Sequence, residues 1–379
     1  MKLGIIGAGQ LGQMLALAGH PLALEFLFLD STADSPGARV APIVTGAFDD
    51  PASLRRLAAD TDLVTYEFEN VPVAALEAVA RTRTCLPPVE ALHVSQDRML
   101  EKELFTRLGI PTPPFRAVDS REDLIAAVAA IGLPCVLKTR RLGYDGKGQH
   151  YLRRPADVDA AWVALGGVPL ILEGFVDFDR EVSVIGARST TGETRCWPLS
   201  LNEHRGGILR VTRAPYRSVA LERAAARHLR RVMDHLGYAG VLTIEFFVQR
   251  GRLVANEMAP RVHNSGHWTI EGCACSQFEN HVRAVLGLPL GDTAARGFSV
   301  MLNWIGELPD ANAVLAEARA HWHDYGKSPR PSRKVGHATL RADSPDEMIE
   351  RLQRVGKALD RQAQIEPVIA GLAEMWNRG

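Results

Sequence analysis

No two of the five cysteines (Cys85, Cys135, Cys196, Cys273, Cys275) stand in a CxxC spacing, and their odd number leaves no complete disulfide framework. Such thiols read as reduced, which predicts a cytoplasmic protein. Cys273 and Cys275, with no further ligand type beside them, read as packing residues. Apolar runs long enough to span a bilayer are also missing. No leader-like stretch precedes the first structured segment, Met1-Lys2-Leu3-Gly4-Ile5-Ile6-Gly7. There is no excess of either charge: Lys plus Arg and Asp plus Glu each number 44. No overall field therefore draws in nucleic acid or an anionic membrane, and neither is expected as a partner. Internal repeats and low-complexity tails are absent too. What remains is an ordinary globular composition in a chain too long for one small core.

Short apolar strands at residues 2–6, 24–29 and 63–65 alternate with helical patterns at 10–19 and about 71–81. That alternation predicts a parallel α/β sheet in a first unit, residues 1–95, with Pro87-Pro88 near its end. Residues 96–290 form a second unit. In it a helix at 97–108 leads into the Pro111, Pro113, Pro114 stretch and a βα region at about 112–180. Extended segments at 170–173, 181–187, 208–213, 241–248 and 253–256 follow, broken by a helix at 219–236. This pattern reads as α+β with a largely antiparallel sheet. A smaller third unit, 291–379, carries strands near 298–304 and 336–341 and a helix at 345–358.

Gly7-Ala8-Gly9-Gln10-Leu11-Gly12 is a GxGxxG between strand and helix, and Asp30 closes the next strand about 20 residues on. Taken alone it admits three readings: a dinucleotide site, a tight turn for packing, or amides for another phosphate. A second glycine loop, Gly143-Tyr144-Asp145-Gly146-Lys147-Gly148-Gln149, follows a strand ending at Lys138. It lacks the GxxxxGK[ST] form of a P-loop. Its glycines suit a flap whose amides fold over phosphate oxygens, with Lys138 and Lys147 as point charges.

Glu245 sits inside the apolar strand 243–248, where an idle charge is costly. The partner strand, 253–257, ends at Asn256-Glu257 beyond Gln249-Arg250-Gly251. A three-residue turn would pair 245 with 255 and 243 with 257, putting Glu245 and Glu257 on one face. A two-residue turn would put them on opposite faces. Two carboxylates and an amide oxygen together suit Mg²⁺. Glu173, which closes the apolar strand 170–172 ahead of Gly174-Phe175-Val176, and Glu181 stand between flap and hairpin, the order in which a nucleotide site would use them.

In this order of parts the chain resembles the ATP-grasp enzymes, and more closely the N5-carboxyaminoimidazole ribonucleotide synthetases of purine biosynthesis. The resemblance runs nearly end to end. It is carried by Glu67-Phe68-Glu69-Asn70-Val71, Gln96-Asp97-Arg98, the 143–149 loop, residues 256–269 (NEMAPRVHNSGHWT), Tyr325-Gly326-Lys327 and Arg333-Lys334-Val335-Gly336-His337. It implies an ATP-grasp fold with a Rossmann-like first domain that binds no NAD, and a small C-terminal domain completing the substrate site. It implies a homodimeric ligase that converts 5-aminoimidazole ribonucleotide, ATP and bicarbonate to the N5-carbamate, ADP and phosphate. ATP would be held by Arg98, Lys138, residues 143–149, Glu173, Gly174, Phe175, Val176, Glu181, His204, Asn256 and Glu257, and Mg²⁺ by Glu245 and Glu257. Gln10, Tyr144, Asp145, Arg261, Asn264, Ser265, Lys327 and Arg333 would serve the ribonucleotide and bicarbonate. The chain departs from the family at Ser332, where glycine usually precedes Arg-Lys, and in the irregular 200–204 segment.

Bicarbonate is a poor electrophile, so its oxygen must first leave as phosphate, and carboxyphosphate is the expected intermediate. Catalysis of that step is positioning and charge neutralisation, with Lys138 and Arg261 as the catalytic residues. His263 and His267 are candidates for a base and equally for structural histidines. Three rivals stand beside this reading: a formate-using ATP-grasp enzyme, an NAD-dependent dehydrogenase and a non-catalytic nucleotide-binding scaffold.

Overall fold

The strand Lys2–Ile6 is buried on both faces and forms the centre of a parallel sheet. In space the order is Ile43–Thr45, Glu25–Asp30, Lys2–Ile6, Leu63–Tyr66, Thr84–Cys85. Two-sided burial explains why these segments read as unbroken apolar runs. The order reverses between Lys2–Ile6 and Leu63–Tyr66, and in such sheets that crevice is where ligands bind. A computed structural model describes residues 1–143 and 146–376 of the protein.

The helix Arg98–Arg107 is started by Asp97, whose carboxylate accepts from Met99 N at 2.9 Å. Beyond it, a four-stranded sheet orders Phe115–Val118, Leu170–Gly174, Cys135–Thr139 and Gln149–Leu152, every pair antiparallel. A nine-stranded sheet runs Arg252–Ala259, Gly240–Gln249, Arg180–Arg188, Ser200–Arg205, Ile208–Ala214, Phe298–Ile305, Lys334–Ala342, Ala320–Asp324, with Thr194–Cys196 paired to Arg180–Arg188. Its last three main-path strands come from the C-terminal unit, which therefore continues the central sheet.

The helix Val219–His235 lies against the central sheet, burying Leu221, Ala225, Leu229, Val232 and Met233. Leu3, Ile5 and Phe28 of the parallel sheet share an apolar cluster with Trp268, Phe278 and Val282 of the middle segment. This shared core fixes the first sheet's C-terminal crevice against the central sheet. No helix among the described residues is long and apolar enough to cross a membrane. All five cysteines are free thiols, and all except Cys196 are buried.

Candidate active site

At the first glycine loop, Gly7 takes φ +99°, a left-handed conformation that favours glycine. The helix Gln10–Gly19 that follows points its N-terminus at a carboxylate of the chain itself. Glu67 accepts from Gly9 N and Gly12 N, each at 2.5 Å, and Asp30 accepts from Ala8 N at 2.8 Å. An internal carboxyl group thus occupies the donors that a dinucleotide pyrophosphate would need. Gln10, by contrast, lines a cavity of about 410 Å³ together with Phe68, Glu69, Asn70, Arg261 and Asn264. Gln10 faces the cavity, whereas the Gly9 and Gly12 amides face Glu67.

Arg261 donates through Nε to Glu69 at 2.5 Å and through Nη1 to the Val262 carbonyl at 3.0 Å. Burial alone would raise the Glu69 pKa, but the adjacent guanidinium holds it down to about 2. Both groups therefore stay charged in a partly buried wall. Asn264 exchanges hydrogen bonds with Asn303, at 3.1 and 2.6 Å. Ser265 is fully buried and is not part of the cavity wall; its hydroxyl lies 2.8 Å from His263 Nδ1. Its place in the site is therefore indirect, through His263, which burial and the Arg261 charge keep neutral.

A second cavity, of about 310 Å³, shares Arg98, Glu245 and Glu257 with the first. Its wall includes Lys138, Gly146, Lys147, Gln149, Glu173, Gly174, Phe175, Val176, Glu181, His204 and Asn256. Gly143 lies on the wall of the first cavity instead. Gly148, at φ +70°, gives its carbonyl to Thr139 N at 2.8 Å and closes the flap's base. Tyr144 and Asp145 lie outside the described residues.

Lys138 Nζ meets Glu173 Oε2 at 3.0 Å, and Arg98 Nη1 meets Glu257 Oε2 at 3.0 Å. Glu173, a residue of this cavity's wall, has its Oε1 buried with no hydrogen-bond partner among the described residues. His204 Nδ1 lies 2.7 Å from Glu181 Oε2; burial opposes its charge, but Glu181 and nearby Glu245 raise it to about 9.

The hairpin differs from the predicted register. Gln249 pairs with Arg252, so the turn has two residues, Arg250 at φ +50° and Gly251 at φ +74°. That turn alone would put the two glutamates on opposite faces. A bulge between Glu245 and Phe246 inserts Asn256 as an extra residue, and Glu245 pairs directly with Glu257. Burial, with Glu257 and Glu181 close by, pushes Glu245 up to about 7 despite His204. Donor atoms of Glu181, His204 and Glu245 lie within 4.8 Å of one another. Glu245 and Glu257, paired across the hairpin with Asn256 beside them, offer the oxygen ligands that Mg²⁺ takes, so these residues fit the ion, whereas His204 is charged and paired with Glu181.

A third cleft, of about 280 Å³, is lined by Gln10, Lys147, Lys327, Arg330, Arg333 and Lys334. Five cations in one small cleft favour a phosphate. Lys334 lines both this cleft and the first cavity, and sequence reasoning gave it no role although it stands inside the Arg333–His337 motif. Glu69, Gln96 and Arg330 were likewise given none; Glu69 and Gln96 lay in the quoted motifs, whereas Arg330 lay in none. Ser332 adopts φ +63°, which accounts physically for glycine being usual there.

A glycine-flap sheet facing an antiparallel sheet that bears paired carboxylates, with a nucleotide-sized cavity between them, defines an ATP-grasp ligase. The ATP-grasp domain profile matches residues 103–278, the ribonucleotide synthetase preATP-grasp domain 1–96, and the phosphoribosylaminoimidazole carboxylase C-terminal domain 299–351. The N5-carboxyaminoimidazole ribonucleotide synthase of Pseudomonas aeruginosa is 54% identical over 90% of this chain and 94% of its own. The crystal structure of the synthetase from Thermus thermophilus matches with a TM-score of 0.91 at 52% identity, covering 94% of this chain and 98% of that one. A synthase from Aspergillus clavatus, solved in complex with ADP and 5-aminoimidazole ribonucleotide, matches with a TM-score of 0.87 at 32% identity, covering 95% and 98%. The chain belongs to the N5-carboxyaminoimidazole ribonucleotide synthase family.

Proposed function

We propose that this chain carboxylates 5-aminoimidazole ribonucleotide on its exocyclic amine, using ATP and bicarbonate and releasing ADP and phosphate. The observation that carries this reading is the junction of the two cavities at Arg98, Glu245 and Glu257, with the cationic cleft opening beyond through Gln10 and Lys334. A triphosphate in the second cavity would then present its terminal phosphate to the first.

In the second cavity Arg98, Lys138 and the flap residues Gly146, Lys147 and Gln149 take the phosphates, and Glu181 and His204 the ribose end. Glu173 Oε1, a buried acceptor without a partner among the described residues, suits the adenine amino group. Glu245 and Glu257, beside Asn256, would hold Mg²⁺. When bound, the ion neutralises phosphate charge. In the first cavity Arg261, its Nε fixed by Glu69, turns the rest of its fork to bicarbonate. A bicarbonate oxygen attacks the γ-phosphorus, the bond to ADP breaks, and carboxyphosphate forms. Carboxyphosphate splits to CO₂ and phosphate, the ribonucleotide amine adds to CO₂, and the amine's proton departs. Lys327, Arg330, Arg333 and Lys334 take the ribonucleotide phosphate, with Gln10 and Asn264 on the cavity wall.

The reading also takes the working enzyme to be a homodimer in the cytoplasm, the first as the family resemblance implies and the second on its free thiols. ADP release should require both bicarbonate and the ribonucleotide. Equal release with formate, or with no acceptor, would sink the carboxylase reading.

A further inference from the structure

The strand Arg252–Ala259 is the edge of the central sheet, and the bulge sits in it. The two-residue turn sets Phe246 opposite Ala255. Continued without interruption, that register would bring Asn256 opposite Glu245 and turn Glu257 to the other face. The inserted residue reverses this. A bulge at a sheet edge leaves peptide groups outside the ladder, and where the strand is covered they need partners from elsewhere.

The partners come from the helix Arg98–Arg107 and the segment after it. Lys102 Nζ donates to the Ala255 carbonyl at 3.2 Å and to the Asn256 carbonyl at 2.5 Å. Glu101 accepts from Met258 N at 2.6 Å, and the Pro111 carbonyl accepts from Ala255 N at 2.7 Å. Lys102 has no exposed surface, and its Nζ also lies 3.5 Å from Glu173 Oε2. That oxygen is the one Lys138 meets at 3.0 Å. One buried ammonium thus touches both carbonyls at the bulge and the carboxylate at the far end of the nucleotide cavity.

We propose that Lys102 is a positioning residue for the metal–nucleotide site. It pins the bulge at Asn256, so that Glu257 stays on the face of Glu245, and it sets the Glu173 carboxylate. The proposal rests on reading this cavity as a Mg·ATP site. A lysine suits the task because its ammonium offers three donors, matching two carbonyls and one carboxylate. An apolar residue of the same length would leave those carbonyls buried without a donor.

Calorimetric titration of Mg²⁺ into the ADP-saturated, full-length protein reads the site without turnover. In K102M the Mg²⁺ dissociation constant should rise about tenfold or more, as expected for loss of charge-assisted contacts. K102R, which keeps the charge, should recover part of that. The kinetic constant for the ribonucleotide should not move in either variant. An unchanged Mg²⁺ constant in folded K102M overturns the proposal. So does a matching rise in the ribonucleotide constant, which would mark general loosening. Should K102M fail to fold, K102R carries the test and must show a raised Mg²⁺ constant. Failure of both to fold also overturns it, making the lysine part of the fold alone. Absence of Mg²⁺-dependent ADP binding by the wild-type protein would instead count against the nucleotide site itself.

Discussion

The buried charges of the nucleotide cavity are held in pairs whose energies depend on pH. Burial by itself would raise the Glu173 pKa, but Lys102, Lys138 and Arg98 hold it down to about 2, against an ordinary 4.5. A depressed carboxylate contributes stability above its unfolded pKa and loses it as pH falls through its folded one. A depression of that size corresponds to roughly 3 kcal/mol. Wild-type protein should therefore lose about that much stability from this group between pH 4.5 and about 2. E173Q should be less stable at neutral pH and show a shallower slope in that window. Urea midpoints measured across the range check this; parallel slopes would remove Glu173 as the titrating group. Residue types were legible at this scale, because Glu245 among apolar neighbours and Lys138 at a strand end are costly unless used. Lys334 was missed because nothing in its motif says that one side chain lines two clefts.

Elements decide which of these groups can meet. The flap returns to the sheet through glycines, and Gly146, at φ +76°, lies against the turn at Gly206 and Gly207. A Cβ there would stand 3.0 Å from the Gly206 carbonyl oxygen, a backbone atom that cannot swing away. G146V combines that crowding with a β-branched residue in a left-handed conformation. The flap should close poorly, raising the ATP constant about tenfold or more while the fold's melting temperature stays near wild type. Unchanged ATP kinetics would show that the loop does not cover the phosphates. The first glycine loop teaches the opposite lesson. Its spacing matches a dinucleotide site, yet Glu67, from a distant strand end, fills the amides that such a ligand would need. A local pattern cannot reveal a partner brought in by the sheet.

Across the whole molecule, the three sequence segments converge on one continuous site. The first sheet brings Gln10 and Glu69, the middle segment brings the nucleotide cavity, and the C-terminal unit adds strands to the central sheet and closes the cationic cleft. Lys327 stands in that cleft and does not line the second cavity. K327A should raise the constant for the ribonucleotide about tenfold, one charged contact to phosphate, and leave that for ATP unchanged. Steady-state kinetics with each substrate varied in turn distinguish the outcomes. A rise in the ATP constant alone would assign this lysine to the nucleotide.

From the sequence alone followed the parallel sheet of the first unit, the second glycine loop beside a strand-end lysine and the carboxylate hairpin, because strand burial, turn chemistry and the expense of buried charge are local matters. The order of these parts also pointed to ATP-grasp chemistry. Only the tertiary structure decided that Glu67 blocks the first glycine loop, that Arg261 is set by Glu69, and that Lys102 reaches the bulge. It also decided why Glu245 and Glu257 share a face. The hairpin residues allow either face, since a two-residue turn and a three-residue turn differ by one step of register. The physical reason lies at the sheet edge, where a helix more than a hundred residues earlier in the chain supplies donors and acceptors for a bulge that strand periodicity cannot announce.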